Sequence, residues 1–204
     1  MDVGRGEETF IAALFLLMLA LFAEAIAGYG KTDKPDFPEI LYGLFAGVII
    51  PYMLSMLLRL KLLDDRGIYA IMPFVCTAIS DSGGYFVGKY LGKHRGILKV
   101  SPNKTLEGFG GSMLSGIVGM LLYGLILWLF VKLKVNFLLL ILYGFVGNIA
   151  TQLGDLAFSY IKRRCGIKDF GKLIPGHGGI LDRLDSAILA APVMYLLVSL
   201  WPAF

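Results

Sequence analysis

The chain has 204 residues, of which 57% are hydrophobic and 17% charged, with a mean hydropathy of +0.74. A soluble domain carries about a quarter charged residues, so this composition excludes an ordinary soluble fold and marks an integral membrane protein. Nineteen Lys/Arg against 15 Asp/Glu leave a formal charge of +4, too small to imply nucleic acid as a partner, and Cys76 and Cys165 fit no disulfide framework or zinc spacing.

Residues 9–28 carry one charge, Glu24, and have about the length a helix needs to cross roughly 30 Å of hydrocarbon. Ala23-Glu24-Ala25 and Ala25-Ile26-Ala27 resemble signal-peptide cleavage sites, but Asp2, Glu7 and Glu8 outweigh Arg5, the wrong sign for a signal, so this reads as a first span. Residues 40–58 form an uncharged second span, with Pro51 as a kink and Gly43 and Gly47 at the spacing that lets helices approach closely. Residues 67–79 are too short alone to span, so the third helix must continue through Ser80, Asp81, Ser82, Gly83 and Gly84 to about Val87.

That continuation places Asp81 at or inside the membrane boundary, where an acid is costly and marks a functional site unless it caps or packs a helix. The stretch from Gly83 to Lys89 approaches a P-loop, but Tyr90 stands where Ser or Thr is needed and no strand precedes it. Residues 89–107 are strongly basic and contain Ser101-Pro102-Asn103-Lys104-Thr105, groups suited to phosphate oxygens or, equally, to a loop that only sets topology. His94 reads as an ordinary loop residue.

Residues 108–131 are the fourth span and 135 to about 153 the fifth. The helical period persists past the fifth span and puts Asp155 and Ser159 on one face, four residues apart. A sixth span begins at Ile180, carries Asp182 and Asp185 in its first turns and is uncharged over 187–201; the two aspartates share a face, where simple capping is the competing reading.

With six spans, 13 Lys/Arg fall on one side and six on the other, so the richer side is expected to be cytoplasmic. Asp81, Asp155, Asp182 and Asp185 then all approach that face of an inner or cell membrane. Carboxylates beside lysines and arginines at a lipid boundary point to a magnesium-dependent reaction on a phosphate-bearing substrate, because magnesium is held by one or two carboxylates plus substrate phosphates. No Ser-His-Asp arrangement or zinc-binding helix is visible.

The stretch 159–185 carries the specific signal. Ser159, Lys162-Arg163, Lys168-Asp169, Gly171, Ile174-Pro175, His177-Gly178-Gly179, Asp182-Arg183 and Asp185 stand at the spacing of the phosphatidate cytidylyltransferase (CDP-diacylglycerol synthase) signature, which this stretch resembles. Asp81-Ser82-Gly83-Gly84-Tyr85-Phe86 through Gly92-Lys93-His94, and residues 101–108, resemble the same family, so the likeness covers roughly 79–185. The family often has Trp where Leu106 stands, and its members commonly carry additional amino-terminal spans.

The resemblance implies an all-α membrane enzyme that transfers CMP from CTP to phosphatidic acid with Mg2+, giving CDP-diacylglycerol and pyrophosphate. It implies Asp155 and Asp182 as metal ligands and, with Asp185, Lys168 and His177, as the catalytic group. Asp81, Ser101, Lys104, Ser159, Lys162, Arg163, Gly178, Gly179 and Arg183 would bind substrate. The glycines around His177 would let backbone amides approach phosphate, and His177 itself would act either as a general base or, the favoured role, as a hydrogen-bond donor. The expected organisation is a two-helix amino-terminal membrane region, 1–66, and a catalytic membrane domain, 67–204; small-residue spacings permit a homodimer. Two rival readings are a CTP-dependent polyprenol kinase, which would move the γ-phosphoryl instead, and an ion-coupled transporter, which lacks the inverted repeat it would need.

Overall fold

A computed structural model describes residues 3–27, 37–96, 100–171 and 179–204. These residues are helical almost throughout: α1 (Val3–Ala27), α2 (Phe37–Leu44), α3 (Ile50–Leu62), α4 (Ile68–Tyr90), α5 (Leu106–Ile126), α6 (Phe137–Arg164) and α7 (Leu181–Leu200). The sole departure towards strand among them is an isolated bridge between Arg95 and Thr105. Four helical stretches, Glu39–Leu62, Leu106–Val131, Phe137–Arg164 and Leu181–Leu200, are long and apolar enough to cross a membrane, with a shorter apolar stretch at Ala12–Ala27. The all-α membrane architecture expected from composition is therefore the one observed.

The chain divides into two compact units, Met1–Ser55 and Met56–Phe204. In the first, α2 runs into α3 through a π-helical turn at Phe45–Ile49, closed by the Ile50 N–H donating to the Phe45 carbonyl. Proline lacks an N–H and its ring crowds the carbonyl four residues back, so a widened turn just before Pro51 relieves that conflict without ending the helix. Gly43 and Gly47 lie against α1: a Cβ on Gly47 would come within 2.8 Å of Leu17 and one on Gly43 within 3.4 Å of Leu21. Helix packing explains these two glycines.

In the second unit three helices have an identifiable start. The Asp64 carboxylate accepts the N–H groups of Ile68 and Tyr69 at 3.0 Å each, opening α4. Thr105 caps α5 by accepting from Gly108 at 3.0 Å, and Asn136 caps α6 by accepting from Leu138 and Leu139. The core contains Leu60, Tyr69, Met72, Cys76, Met120, Leu140, Tyr143 and Met194, while large apolar residues such as Leu114, Phe130 and Leu138 are exposed, as a lipid-facing surface requires.

The closest packing is between α4 and α5. A Cβ on Gly111 would sit 2.4 Å from Val87, one on Gly119 2.8 Å from Ile79, and one on Gly84 3.1 Å from Ser112. Glycine and serine at four-residue steps on both helices remove the side chains that would hold them apart, and this brings the polar end of α4 over the start of α5. Across Gly83 to Lys89 the helix is unbroken, so no phosphate-cradling loop exists there.

Of the six expected spans, four appear as stretches long and apolar enough to cross and the first as a shorter apolar stretch, while α4, expected as the third, is not among them. Several boundaries also differ, two of them near the basic segments. The fourth span begins two residues early, at Leu106, because Thr105 supplies the cap. The helix containing the fifth span continues to Arg164, making Lys162 and Arg163 part of its last turn rather than of a loop; cations are favoured there by the helix dipole, and the helix stops only before Gly166, whose φ is +67°.

Candidate active site

Asp81 on α4, Asp155 on α6 and Lys104 in the loop before α5 line one cavity of about 530 Å³, together with Tyr85, Lys89, Arg95, Asn103, Phe109 and Gln152. Thr105, Gly84, Gly88 and Gly108 complete the lining where α4 and α5 meet; a Cβ on Gly88 or Gly108 would come within 2.9 Å of Thr105 Oγ1, so their bareness is what lets the helices close there. The cavity therefore holds three cations, two carboxylates and aromatic surface, a combination suited to a ligand with both phosphate and apolar parts.

Lys104 Nζ forms a close ion pair with Asp155 Oδ2, donates to Gln152 Oε1 at 3.2 Å and lies 5.4 Å from the Phe109 ring centroid. Ser159, one turn on from Asp155, donates to its other oxygen at 3.4 Å, so the expected shared face is present. Asp81 lies within electrostatic reach of Asp155, Lys104 and Asp185. The α6–α7 crossing brings Asp185 close: a Cβ on Gly154 would lie 2.9 Å from the Asp185 carbonyl oxygen.

A second constellation is built around Lys162. Its ammonium pairs with Asp182 at 3.0 Å and with Asp185 at 3.5 Å. The other Asp182 oxygen accepts two backbone N–H groups, Phe170 and Gly179, both at 2.9 Å. Asp185 also accepts from the Ser186 N–H at 2.8 Å. The Phe170 ring lies 5.4 Å from Lys162 Nζ and edge-on to Phe158. Asp182 thus ties together the two flanks of the segment between α6 and α7, and Gly171 and Gly179 approach so closely that a Cβ on Gly179 would lie 2.9 Å from Gly171 N.

The remaining expected residues fall outside these clusters. Lys168, Arg163 and Arg183 are exposed, and the half-buried Ser101 accepts the Lys104 N–H at 3.1 Å through its carbonyl, shaping the turn that presents Lys104. His177 and Gly178 lie outside the described residues. His94 is not a bare loop residue: its Nδ1 lies 2.6 Å from Glu107 Oε1, and its carbonyl accepts from Leu106, closing the basic loop back on α5.

Among the described residues no group of three or more His, Cys, Asp and Glu side chains gathers around a metal position. Magnesium does not need one, since one or two carboxylates suffice when substrate phosphates complete its octahedral shell. Asp155 and Asp182 present hard oxygens only, and each already holds a cation, a lysine ammonium. The donor chemistry fits magnesium.

Composition and motif spacing missed Gln152, Ser112, Asn148 and Ser186. A signal for Ser112 was present in the ladder Gly108, Ser112, Gly116 on α5 facing Gly84 and Gly88 on α4, which places a hydroxyl in a helix contact next to the basic loop.

Residues 4–201 match the model of a family described as the cytidylyltransferase family. A phosphatidate cytidylyltransferase of Bacillus subtilis is 37% identical over 201 residues, covering 98% of this chain and 70% of the relative. Phosphatidate cytidylyltransferases of Staphylococcus epidermidis and Staphylococcus aureus are 42% and 39% identical over 130 residues, 64% of this chain and 48% of each relative. The chain thus spans about half the length of the staphylococcal relatives it matches. With a family match running almost end to end, and a cavity that sets lysines and arginine beside carboxylates, the chain belongs to the cytidylyltransferase family.

Proposed function

We propose that this protein transfers CMP from CTP to phosphatidic acid, forming CDP-diacylglycerol and releasing pyrophosphate. The observation that carries this reading is the cavity in which Lys89, Arg95 and Lys104 stand with Asp81 and Asp155 beside exposed apolar surface. A lipid phosphate oxygen attacks the α-phosphorus of CTP, the bond to the bridging oxygen of the β-phosphate breaks, and pyrophosphate leaves with that electron pair. The phosphate monoester of the lipid is already largely ionised near neutrality, so no side chain has to remove a proton. His177 accordingly serves as a hydrogen-bond donor rather than a base.

Lys104, Lys89 and Arg95 hold triphosphate and lipid-phosphate oxygens and offset the charge that builds up as they approach one another. Asp155 and Asp182 would hold Mg2+, which would supply charge neutralisation and alignment of the phosphate oxygens. Arg163, Lys168 and Arg183, exposed around the same end of the helices, add positive potential that draws the nucleotide in. Phosphatidic acid approaches along the outer face of α4, where Tyr85, Phe86 and Tyr90 are exposed and Lys89 lies 5.6–5.7 Å from two of their rings. Such an aromatic and lysine edge suits the headgroup level of a bilayer. The excess of Lys/Arg expected on this side supports a cytoplasmic site, where CTP is available.

Purified protein in detergent with Mg2+, phosphatidic acid and CTP labelled at the α-phosphate should place label in lipid, and Asp182→Asn should reduce that by roughly 10²-fold or more. A polyprenol kinase would instead move label from the γ-phosphate. Label absent from lipid sinks the reaction, and equal labelling by Asp182→Asn sinks the assigned metal ligand.

A further inference from the structure

We propose that Gln152, backed by Ser112 and Asn148, is a positioning residue that holds the Lys104 ammonium against Asp155 and aims it into the cavity; the expected effect on turnover rests on the cytidylyl-transfer reading above. Gln152 Oε1 accepts from Lys104 Nζ at 3.2 Å, and Gln152 Nε2 donates to Ser112 Oγ in a close hydrogen bond. Asn148 Nδ2 donates to the same hydroxyl at 2.9 Å and to the Ser112 carbonyl at 3.0 Å. Ser112 and Asn148 are completely buried.

The direction of this chain of hydrogen bonds follows from its two ends. A backbone carbonyl can only accept, so Asn148 must turn its NH2 to Ser112; an ammonium can only donate, so Gln152 must turn its oxygen to Lys104 and its own NH2 to the Ser112 hydroxyl. One orientation satisfies every link. Asn148 Oδ1 is buried with no hydrogen-bond partner among the described residues, a cost that an aliphatic side chain would avoid. The amide is therefore retained for what its nitrogen does, which is to fix Ser112.

Simple helix-to-helix adhesion accounts for the Asn148–Ser112 link, since polar groups join helices in membranes. It does not account for the outer end. Lys104 belongs to neither α5 nor α6, and its flexible stem would otherwise leave the ammonium free to swing through the cavity. Gln152 and Asp155, three apart on α6, meet it from one helix face.

The test compares Gln152→Met, which keeps volume and removes both hydrogen bonds, with Gln152→Glu, which restores an acceptor facing Lys104. Acetylation of Lys104 by a water-soluble N-hydroxysuccinimide ester, read by mass spectrometry, should speed up about 2- to 10-fold in Gln152→Met, the range that one net hydrogen bond supports. It should return to the wild-type rate in Gln152→Glu. CMP transfer in Gln152→Met should lose about 10- to 100-fold in kcat/KM, as expected for a misaimed group. A purely structural glutamine would give the opposite order, because a glutamate beside Asp155 would be the worse substitution. If Gln152→Met does not fold, Ser112→Ala should shift Lys104 reactivity in the same direction. Unchanged Lys104 reactivity in every folded variant overturns the proposal, as does raised reactivity with unaltered kcat/KM. If the wild type transfers no CMP yet Lys104 reactivity still rises in Gln152→Met, the proposed function fails and the positioning role stands.

Discussion

Two lysine–aspartate centres among the described residues are made from the same chemistry and do different things. Lys104 and Asp155 keep 24% and 29% of their side-chain surface exposed and open into a cavity, whereas Lys162, Asp182 and Asp185 keep 12%, 6% and 12%. The first pair is aimed by a side-chain amide and has oxygens within reach of a ligand. The second is more enclosed: Asp182 accepts from an ammonium on one oxygen and from two backbone amides on the other and thereby anchors both flanks of the segment that follows α6. Exposure and spare bonding capacity, rather than residue type, separate a centre poised for substrate from one that also fastens the fold.

The comparison predicts opposite failures. Asp155→Asn should lower CMP transfer by roughly 10³-fold, with an unfolding temperature in detergent close to wild type, because the residue is part-exposed and its loss frees a lysine towards solvent. If Asp155→Asn unfolds as readily as a Lys162 variant, the distinction is wrong. Lys162→Met leaves two nearly buried carboxylates without their cation and should cost about 3–5 kcal/mol of stability, measured by thermal unfolding. A stable Lys162→Met protein would mean that the backbone amides alone hold Asp182.

A smaller effect sharpens the contrast. Gly111→Val places a side chain against Val87 at the α4–α5 contact and should cost roughly 1–3 kcal/mol. It should also weaken CMP transfer, since α4 carries Asp81 while Lys104 is set by the start of α5. Lost stability with unchanged kcat/KM would show that the cavity does not depend on that close approach.

Much of the fold was legible before any coordinates. Four of the six expected spans declared themselves through apolar length, because hydrocarbon tolerates few charges, and the helical period persisted through Asp155 and Ser159 as expected. Helix ends were less legible: Thr105 and the cations Lys162 and Arg163 extended α5 and α6 beyond the apolar runs, since caps and dipole interactions act on residues that hydropathy counts as loop. Asp81, Asp155, Asp182 and Asp185 stood out because carboxylates at a membrane boundary need a reason. Gln152 and Asn148 did not, being neutral, unremarkable in a helix, and meaningful only once α5 and α6 are packed; Ser112 showed only as one rung of a small-residue ladder.

By itself the sequence determined that this is an all-α membrane protein with its polar groups gathered at one face, since the composition of each segment decides whether it can lie in lipid. It also determined the family through the spacing of residues 159–185. Only the tertiary structure decided which lysine meets which aspartate. Those pairings depend on how closely α4 and α5 approach through their small residues and on where α6 crosses α7, distances that arise from packing between segments far apart in the chain.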